Sequence, residues 1–200
     1  MSSSKIKYLF GDQLERWHYH SDYLQYVTPD QIGQKLVSLA DNEYDLSRLH
    51  LWDMFSGIGT DTIKFSNMCR KVTATEIDSK THSNLKLNLK EFGVSNVDAH
   101  LADCTVFAPA GVDLIYFDPP WGDTFESGRE FDFKEIRLPN GKSIIELLHE
   151  IHKNHKNIII KSPYDCMTFE IELDKYITRI HAFPKPKLKY IFLSDTIDGY

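Results

Sequence analysis

The sequence predicts an α/β fold in which a mostly parallel, seven-stranded sheet carries helices on both faces. Short apolar segments typical of buried strands alternate with amphipathic segments typical of helices, which is the pattern of parallel βαβ units. The last two predicted strands follow each other without a helix, so we expect an antiparallel strand to close the sheet. Ligands of such sheets bind beyond the carboxyl ends of the strands.

The chain begins with an aromatic-rich stretch that has no regular period. We therefore expect residues 1–30 to form an arm packed on the main body, which would occupy residues 31–200. Thr28 opens the sequence Thr-Pro-Asp-Gln, which has the form of a capping box with proline at the first helical position. The helix that follows has one apolar face, formed by Ile32, Leu36, Val37 and Ala40.

Three strands are predicted in the next part of the chain. The first, 49–55, runs into a glycine-containing loop and a helix, and the second, 72–76, ends at an acid. Asp78 or Ser79 is expected to cap the next helix, and Gly93 to stop it in the left-handed conformation. The third strand covers 97–101.

The second half of the chain continues the alternation. After a fourth strand at 114–117, a polar insertion at 123–141 shows little periodicity and is expected to be a mobile loop. A helix with a capping box follows from Ser143. The remaining predicted elements are a fifth strand at 157–161, a short helix at 164–173 and a terminal hairpin of 176–183 and 188–193.

The composition restricts the class of protein. Hydrophobic residues make up 42% and charged residues 26%, as in soluble globular domains. No segment has the length of a membrane span or the core of a signal peptide, so we expect a soluble intracellular protein, nuclear or cytoplasmic, of cellular or viral source. Cys69, Cys104 and Cys166 are widely spaced and fit reduced thiols. The net charge of −6 argues against non-specific duplex binding but allows recognition of a single nucleotide or a short 5′ end.

Four acids fall at the carboxyl ends of predicted strands, namely Asp53, Glu76, Asp103 and Asp118. They are expected to meet at one edge of the sheet. No metal site is predicted, because the histidines at 149, 152 and 155 lack a carboxylate or thiol that would complete a ligand set.

The loop after the first strand indicates the type of ligand. Gly57 and Gly59 allow the backbone to approach a ligand closely. A dinucleotide loop would have a third glycine where this chain has Thr62, and Asp53 would repel a phosphate. An ammonium, a sulfonium and a ribose suit the loop better, with Glu76 accepting both ribose hydroxyls. S-adenosylmethionine meets these conditions, and NAD meets fewer of them.

The fourth strand ends in Asp118-Pro119-Pro120-Trp121-Gly122. Two prolines donate no backbone hydrogen bond and hold the chain extended, so we expect nearby carbonyls to point out of the sheet edge. A planar base with an amino group fits this arrangement: the amine donates to the side chain of Asp118 and the carbonyl of Pro119, and the ring stacks on Trp121. The alternative is a plain surface turn with Trp121 in the core.

With these motifs, the sequence resembles class I S-adenosylmethionine-dependent methyltransferases, and more narrowly the trimethylguanosine synthase family of RNA cap guanine-N2 methyltransferases. The resemblance runs over nearly the whole chain. The segments that carry it are 27–30, 53–59 with Thr62, 76–78, 119–122, the pair Phe131-Asp132, and 185–193. It implies a Rossmann-like fold, S-adenosylmethionine as cofactor and a 7-methylguanosine-capped RNA 5′ end as partner. We expect a monomer that binds no membrane.

The resemblance also implies a set of cofactor-binding residues. Asp53 and Glu76 would hold the methionine end and the ribose, and Asp103 with Cys104 would border the adenine. Thr28 and Phe10 would close the pocket from the arm. The other cofactor-binding candidates are Ser56, Gly57, Gly59, Thr62 and Asp118.

On the substrate side, the resemblance implies that Trp121 stacks on the 7-methylguanine. The indole supports this role independently, because the methylated ring is cationic and indole is the best cation–π face. Asp118, Pro119 and Trp121 are the candidate catalytic residues, and Pro120 is a further candidate for contact with the base. Lys161 is the candidate for the cap phosphates.

Two positions depart from the family pattern. Asp118 replaces the usual serine and is the acid found in adenine 6-amino methyltransferases, so an adenine N6 methyltransferase of RNA or DNA is the first alternative. Tyr164 follows Pro163 where the family has arginine, so the cap-phosphate contact is expected at Lys161 or elsewhere in the chain. A non-catalytic subunit that binds cap or cofactor is the second alternative.

Overall fold

The structure is a computed structural model that describes residues 3–121 and 132–194. Within these ranges seven strands are hydrogen-bonded in the order β3 (Val97–Leu101), β2 (Lys71–Glu76), β1 (His50–Asp53), β4 (Leu114–Phe117), β5 (Ile158–Pro163), β7 (Leu188–Leu193) and β6 (Ile177–Phe183). The predicted α/β class with a mostly parallel, seven-stranded sheet is confirmed. The chain divides into two compact units, Met1–Val112 and Asp113–Tyr200.

The first unit contains three parallel strands with β2 between the other two. These are β1 (His50–Asp53), β2 (Lys71–Glu76) and β3 (Val97–Leu101). Helices α3 (Thr60–Ser66) and α4 (Ser79–Glu91) connect them. The α4 ends follow the sequence prediction: Asp78 is the N-cap and accepts from the Thr81 amide, and Gly93 after the helix has φ +68°. Both signals are local, which is why they could be read from the sequence.

The arm also lies in the first unit. It comprises α1 (Ser3–Phe10) and two 3-10 helices, Gly11–Arg16 and Ser21–Tyr26, before α2 (Asp30–Tyr44). A third 3-10 helix, Leu46–Arg48, leads to β1. The buried arm residues Leu9, Phe10, Leu24 and Val27 form a cluster with Ile58 of the glycine loop.

The predicted capping box at Thr28 is wrong. Pro29 is the N-cap of α2 and makes no side-chain cap hydrogen bond. The Thr28 hydroxyl donates to Asp61 Oδ2 at 2.6 Å. Because the acceptor is a carboxylate, this is a charge-assisted hydrogen bond, and it ties Thr28 to α3.

In its described residues, 113–121 and 132–194, the second unit contains the other four strands, two α-helices and the 3-10 helix Asp174–Tyr176. Strand β4 (Leu114–Phe117) runs parallel to β5 (Ile158–Pro163), and β7 (Leu188–Leu193) pairs antiparallel with both β5 and β6 (Ile177–Phe183). The closing antiparallel hairpin is therefore confirmed. The helices are α5 (Ile144–Asn154) and α6 (Thr168–Leu173).

Two further predictions concern the start of α5 and the insertion. The capping box of Ser143 and Glu146 is confirmed. Gly122, Phe131 and the first part of the insertion, 123–131, lie outside the described residues. In the rest of the insertion Phe133 is fully buried and its ring stacks on Phe169 with the ring centres 4.3 Å apart, so this side chain anchors the segment to the core of the second unit. The mobility of the insertion stays a prediction.

The described residues contain no helix with the length and apolar character that crossing a membrane requires. All three cysteines are buried free thiols, as the spacing predicted.

Candidate functional site

Three of the predicted acids lie at the carboxyl ends of the strands of the first unit. Asp53 is the last residue of β1 and Glu76 the last of β2, while Asp103 follows β3 by two residues. Since the three strands are parallel and paired, these positions share one edge of the sheet. Asp53 is 1% exposed, whereas Glu76 and Asp103 are half-buried.

Backbone amides fix the carboxylate of Glu76. Oε2 accepts from the Gly57 amide at 3.0 Å, and Oε1 accepts from the Asp78 amide at 2.8 Å. Burial disfavours the charged carboxylate and raises the pKa of Glu76 above its ordinary value. The hydrogen bonds from the amides favour the charged form and lower the pKa, but burial has the larger effect. The Ile77 amide also acts on this carboxylate. A carboxylate has about four acceptor positions, so three amides leave room for a hydroxyl donor.

Asp53 is oriented by the residue that replaces the third glycine. The Thr62 hydroxyl donates to Asp53 Oδ2 at 2.6 Å, and Thr62 itself is fully buried. Ser56 donates to the carbonyl of Thr75 at 2.8 Å and ties the start of the loop to β2. Both hydroxyls therefore support the loop, since protein groups already accept their protons.

The glycine loop is covered by the arm. Gly57 has φ +56°, and a Cβ built on it would lie 1.6 Å from the hydroxyl of Tyr23. Gly57 is thus required both by its backbone conformation and by the close approach of this ring. The sequence did not single out Tyr23, because the aromatic residues of the arm follow no period.

Asn88 connects the arm to the loop and was also missed. It is fully buried, accepts from the His18 amide at 2.7 Å, and donates to the carbonyls of His18 and Ile58 at 3.0 and 2.8 Å. A signal was present in the sequence, since Asn88 lies on the same helical face as Leu85 and Leu89. A polar residue in an apolar stripe must find partners when it is buried.

The other cofactor candidates of the first unit are placed as follows. Phe10 is buried and stacks on Trp17 and Tyr19 at 5.4 and 4.9 Å, so its ring belongs to the packing of the arm. Cys104 is buried, and burial together with the neighbouring Asp103 raises the pKa of its thiol to about 12. The thiol is therefore neutral and offers an apolar surface at this edge.

The substrate candidates lie in the second unit. Asp118 follows β4, and Lys161 lies in β5, where Ile160 pairs with Phe117. Lys161 Nζ donates to Asp118 Oδ2 at 2.7 Å, and the two side chains are 5% and 17% exposed. An ammonium that is buried and bonded to a carboxylate is poorly placed to bind an external phosphate, so the assignment of Lys161 to the cap phosphates is not supported by this geometry.

The residues after Asp118 form a partly exposed turn. Pro119 is buried, Pro120 is exposed and Trp121 is half-buried, so the indole is not a core residue. Lys161 Nζ lies 5.7 Å from the centre of the Trp121 ring. A hydrogen-bond acceptor (Asp118) and an aromatic ring (Trp121) thus lie within the four residues that follow β4. The neighbouring strand β5 provides a cation, Lys161, that lies close to both.

A family model described as RNA cap guanine-N2 methyltransferase matches residues 48–196. An uncharacterized protein of Acanthamoeba polyphaga mimivirus is 27% identical over 172 residues, which are 82% of this chain and 65% of that protein. A trimethylguanosine synthase of Schizosaccharomyces pombe is 30% identical over 112 residues, which are 52% of this chain and 45% of that protein. The chain spans less than two-thirds of the length of either of these curated relatives.

Solved structures share the fold at low sequence identity. A provisionally assigned RNA methyltransferase from Pyrococcus horikoshii has a TM-score of 0.67 at 16% identity, and the match covers 90% of this chain and 93% of that chain. An RNA methyltransferase from Salinibacter ruber, solved in complex with S-adenosyl-L-homocysteine, has a TM-score of 0.58 at 15% identity and coverages of 86% and 97%.

Proposed function

Because the chain belongs to the RNA cap guanine-N2 methyltransferase family, we propose that it transfers a methyl group from S-adenosylmethionine to the exocyclic 2-amino group of a 7-methylguanosine cap. Membership of this family supports an S-adenosylmethionine-dependent methyltransferase that acts on RNA. The cap as substrate, the 2-amino group as target and a capped RNA 5′ end as partner are the parts that we add.

The residues of the first unit fit S-adenosylmethionine. Their charged groups are carboxylates, which accept hydrogen bonds from an ammonium and from ribose hydroxyls, attract a sulfonium and would repel a phosphate. We assign direct contacts to Asp53, Gly57, Glu76, Asp103 and Cys104. The other candidates hold the loop or the arm in place: Phe10, Thr28, Ser56, Gly59 and Thr62. When bound, the cofactor supplies an activated methyl group on a positively charged sulfur.

The half-buried indole of Trp121 is the observation that carries the choice of the cap. A 7-methylguanine is cationic, and an indole face attracts a cation by about 0.5 to 2 kcal/mol, depending on how well water is excluded. An unmethylated guanine stacks without this contribution. The platform therefore favours a base that has already been methylated at its 7-position.

Asp118 and Pro119 provide the acceptors for the reacting amine. An exocyclic amine conjugated to a purine is a poor nucleophile, and hydrogen bonds from it to the Asp118 carboxylate and the Pro119 carbonyl localise its lone pair. Most of the rate enhancement then comes from positioning and electrostatics. A carbon–nitrogen bond forms as the carbon–sulfur bond breaks. The cationic product amine loses its proton to Asp118 or to water without a strong base.

The direct test is mass spectrometry of capped dinucleotide after incubation with S-adenosylmethionine, with 7-methylated and unmethylated caps in parallel. We expect the 7-methylated cap to be used about 2- to 30-fold more efficiently, which is what a cation–π contribution of about 0.5 to 2 kcal/mol gives. Equal rates on the two caps would contradict the proposal.

A pair of substitutions at Trp121 tests whether the aromatic ring binds the base. Trp121→Phe retains a weaker aromatic face and should give an intermediate kcat/KM, while Trp121→Ala should lower it by about 10- to 100-fold. Cofactor affinity should stay within about 2-fold in both, because the contacts assigned to the cofactor lie elsewhere.

The acid at position 118 favours one other candidate, an adenine N6 methyltransferase. Nucleoside analysis of the product separates methylation of adenine from methylation of guanine directly. Cofactor binding without transfer to any capped RNA would instead favour a non-catalytic binding subunit.

A further inference from the structure

We propose that Lys161 is a positioning residue for methyl transfer, which holds Asp118 ionised and in a fixed rotamer so that it can accept from the amine of the substrate. This inference rests on the proposed function. It replaces the contact to the cap phosphates that the sequence suggested.

The location of Lys161 is the first argument. It lies in β5 after Ile158, Ile159 and Ile160, all of which are fully buried, and its own side chain is 5% exposed. An unpaired ammonium is costly to bury, so the 2.7 Å contact to Asp118 is what allows a lysine at this position. The pair follows from the sheet register, because Phe117 lies opposite Ile160 and each charged residue comes next on its strand.

Stability does not explain why the pair is there. Replacing a buried ion pair by apolar residues of similar volume is often neutral or stabilising, and the three residues before Lys161 in this strand are isoleucines. One member of the pair, however, is the acid that directly precedes Pro119 and the Trp121 platform. A functional role for the pair is therefore the stronger reading.

The ammonium affects the acid in two ways. Partial burial disfavours the charged form of the Asp118 carboxylate, whereas the Lys161 ammonium within hydrogen-bond distance favours it. The charged form is the one that accepts hydrogen bonds on both oxygens. The bond to Oδ2 also limits rotation of the carboxylate, and displacements of about 1 Å can cost on the order of 100-fold in rate.

Lys161 also lies beside the base platform. Its Nζ is 5.7 Å from the centre of the Trp121 ring, within the range of a weak cation–π contact. The same ammonium therefore contacts both the acceptor and the platform, and its loss should affect the chemical step more than the binding of the cofactor.

The experiment compares wild type with Lys161→Met, Lys161→Arg, Asp118→Asn and the double variant K161M/D118N. We expect K161M to lower kcat by about 10- to 100-fold with cofactor affinity within about 2-fold, and K161R to recover part of the loss because it keeps the charge. The double variant should be no slower than D118N alone, since Lys161 acts through Asp118. An additive loss in the double variant would overturn the proposal.

Two controls address other roles of Lys161. K161M leaves Asp118 without its partner and can fold poorly, whereas the double variant removes both charges and keeps the test available. Ile159→Val weakens the same strand without touching a charge, and its kcat should remain within about 2-fold of wild type. A similar loss of kcat in I159V would attribute the effect to strand stability and contradict the proposal.

Cap analogues separate positioning from phosphate binding. If Lys161 acts through Asp118, K161M loses the same factor in kcat/KM on 7-methylguanosine monophosphate, diphosphate and capped dinucleotide. A loss that grows with the number of phosphates would show a phosphate contact and overturn the inference. Wild-type protein that fails to methylate any of these analogues would refute the proposed function itself, whereas wild-type activity that K161M retains in full would refute only the role of Lys161.

Discussion

Replacing Asn88 by alanine is expected to separate the arm from the glycine loop. The side chain makes three hydrogen bonds in a fully buried position, two to the backbone of His18 and one to the carbonyl of Ile58. Each contributes about 0.5 to 1.5 kcal/mol net, so their loss amounts to roughly 3 kcal/mol of unfolding free energy. The backbone groups of the arm and the loop would then lack partners.

The effect on function follows from where these bonds lead. Ile58 follows Gly57, whose amide donates to Glu76, the residue assigned to the ribose. We therefore expect N88A to weaken S-adenosylmethionine binding by about 5-fold or more in titration calorimetry, at a temperature at which the variant is folded. Denaturant unfolding of the same samples gives the change in stability.

Asn96 provides the matched control. It is half-buried in the same unit and donates to the carbonyls of Ser66 and Cys69, both at 2.9 Å, without contacting the arm. N96A should cost roughly 2 kcal/mol of stability and leave cofactor affinity unchanged. If N88A and N96A were equally destabilised and bound the cofactor equally well, the arm would have no role in shaping the loop, and this reasoning would fail.

Two other perturbations test residues that we assign to the cofactor, Gly57 and Glu76. Gly57→Ala should weaken cofactor binding by about 10-fold or more, because its Cβ would lie 1.6 Å from the Tyr23 hydroxyl and φ is +56°. Gly93→Ala is the control. Gly93 also has a positive φ, +68°, but no atom lies within 4 Å of its Cβ position, so cofactor binding should be unchanged. Burial raises the pKa of Glu76, so its protonated form contributes stability at acidic pH that is lost as pH rises through this raised value. Cofactor affinity should show the opposite trend and fall as the pH is lowered. Because the pKa of Glu76 is raised, this fall should begin at a pH above the ordinary pKa range of a glutamate. In Glu76→Gln the cofactor affinity, measured by calorimetry over the same pH series, should not change with pH.

Local rules account for the parts of the fold that the sequence determined by itself. Alternating apolar segments gave the strands and the closing hairpin, and Asp78, Gly93 and the Ser143–Glu146 box gave helix ends. The three acids of the first unit were placed on one edge because parallel strands end on the same side. Each of these inferences needs only residues that are near one another in the chain, or the known geometry of a sheet.

The tertiary structure decided which polar groups meet. Thr28 bonds to Asp61, 33 residues away, where the sequence suggested a helix cap, and Asn88 bonds to His18, 70 residues away. Lys161 bonds to Asp118 across 43 residues, where the sequence suggested a contact to the cap phosphates. No local pattern encodes such pairs. A buried polar group must be satisfied, and its partner is whichever group the packing of distant elements brings within hydrogen-bond distance.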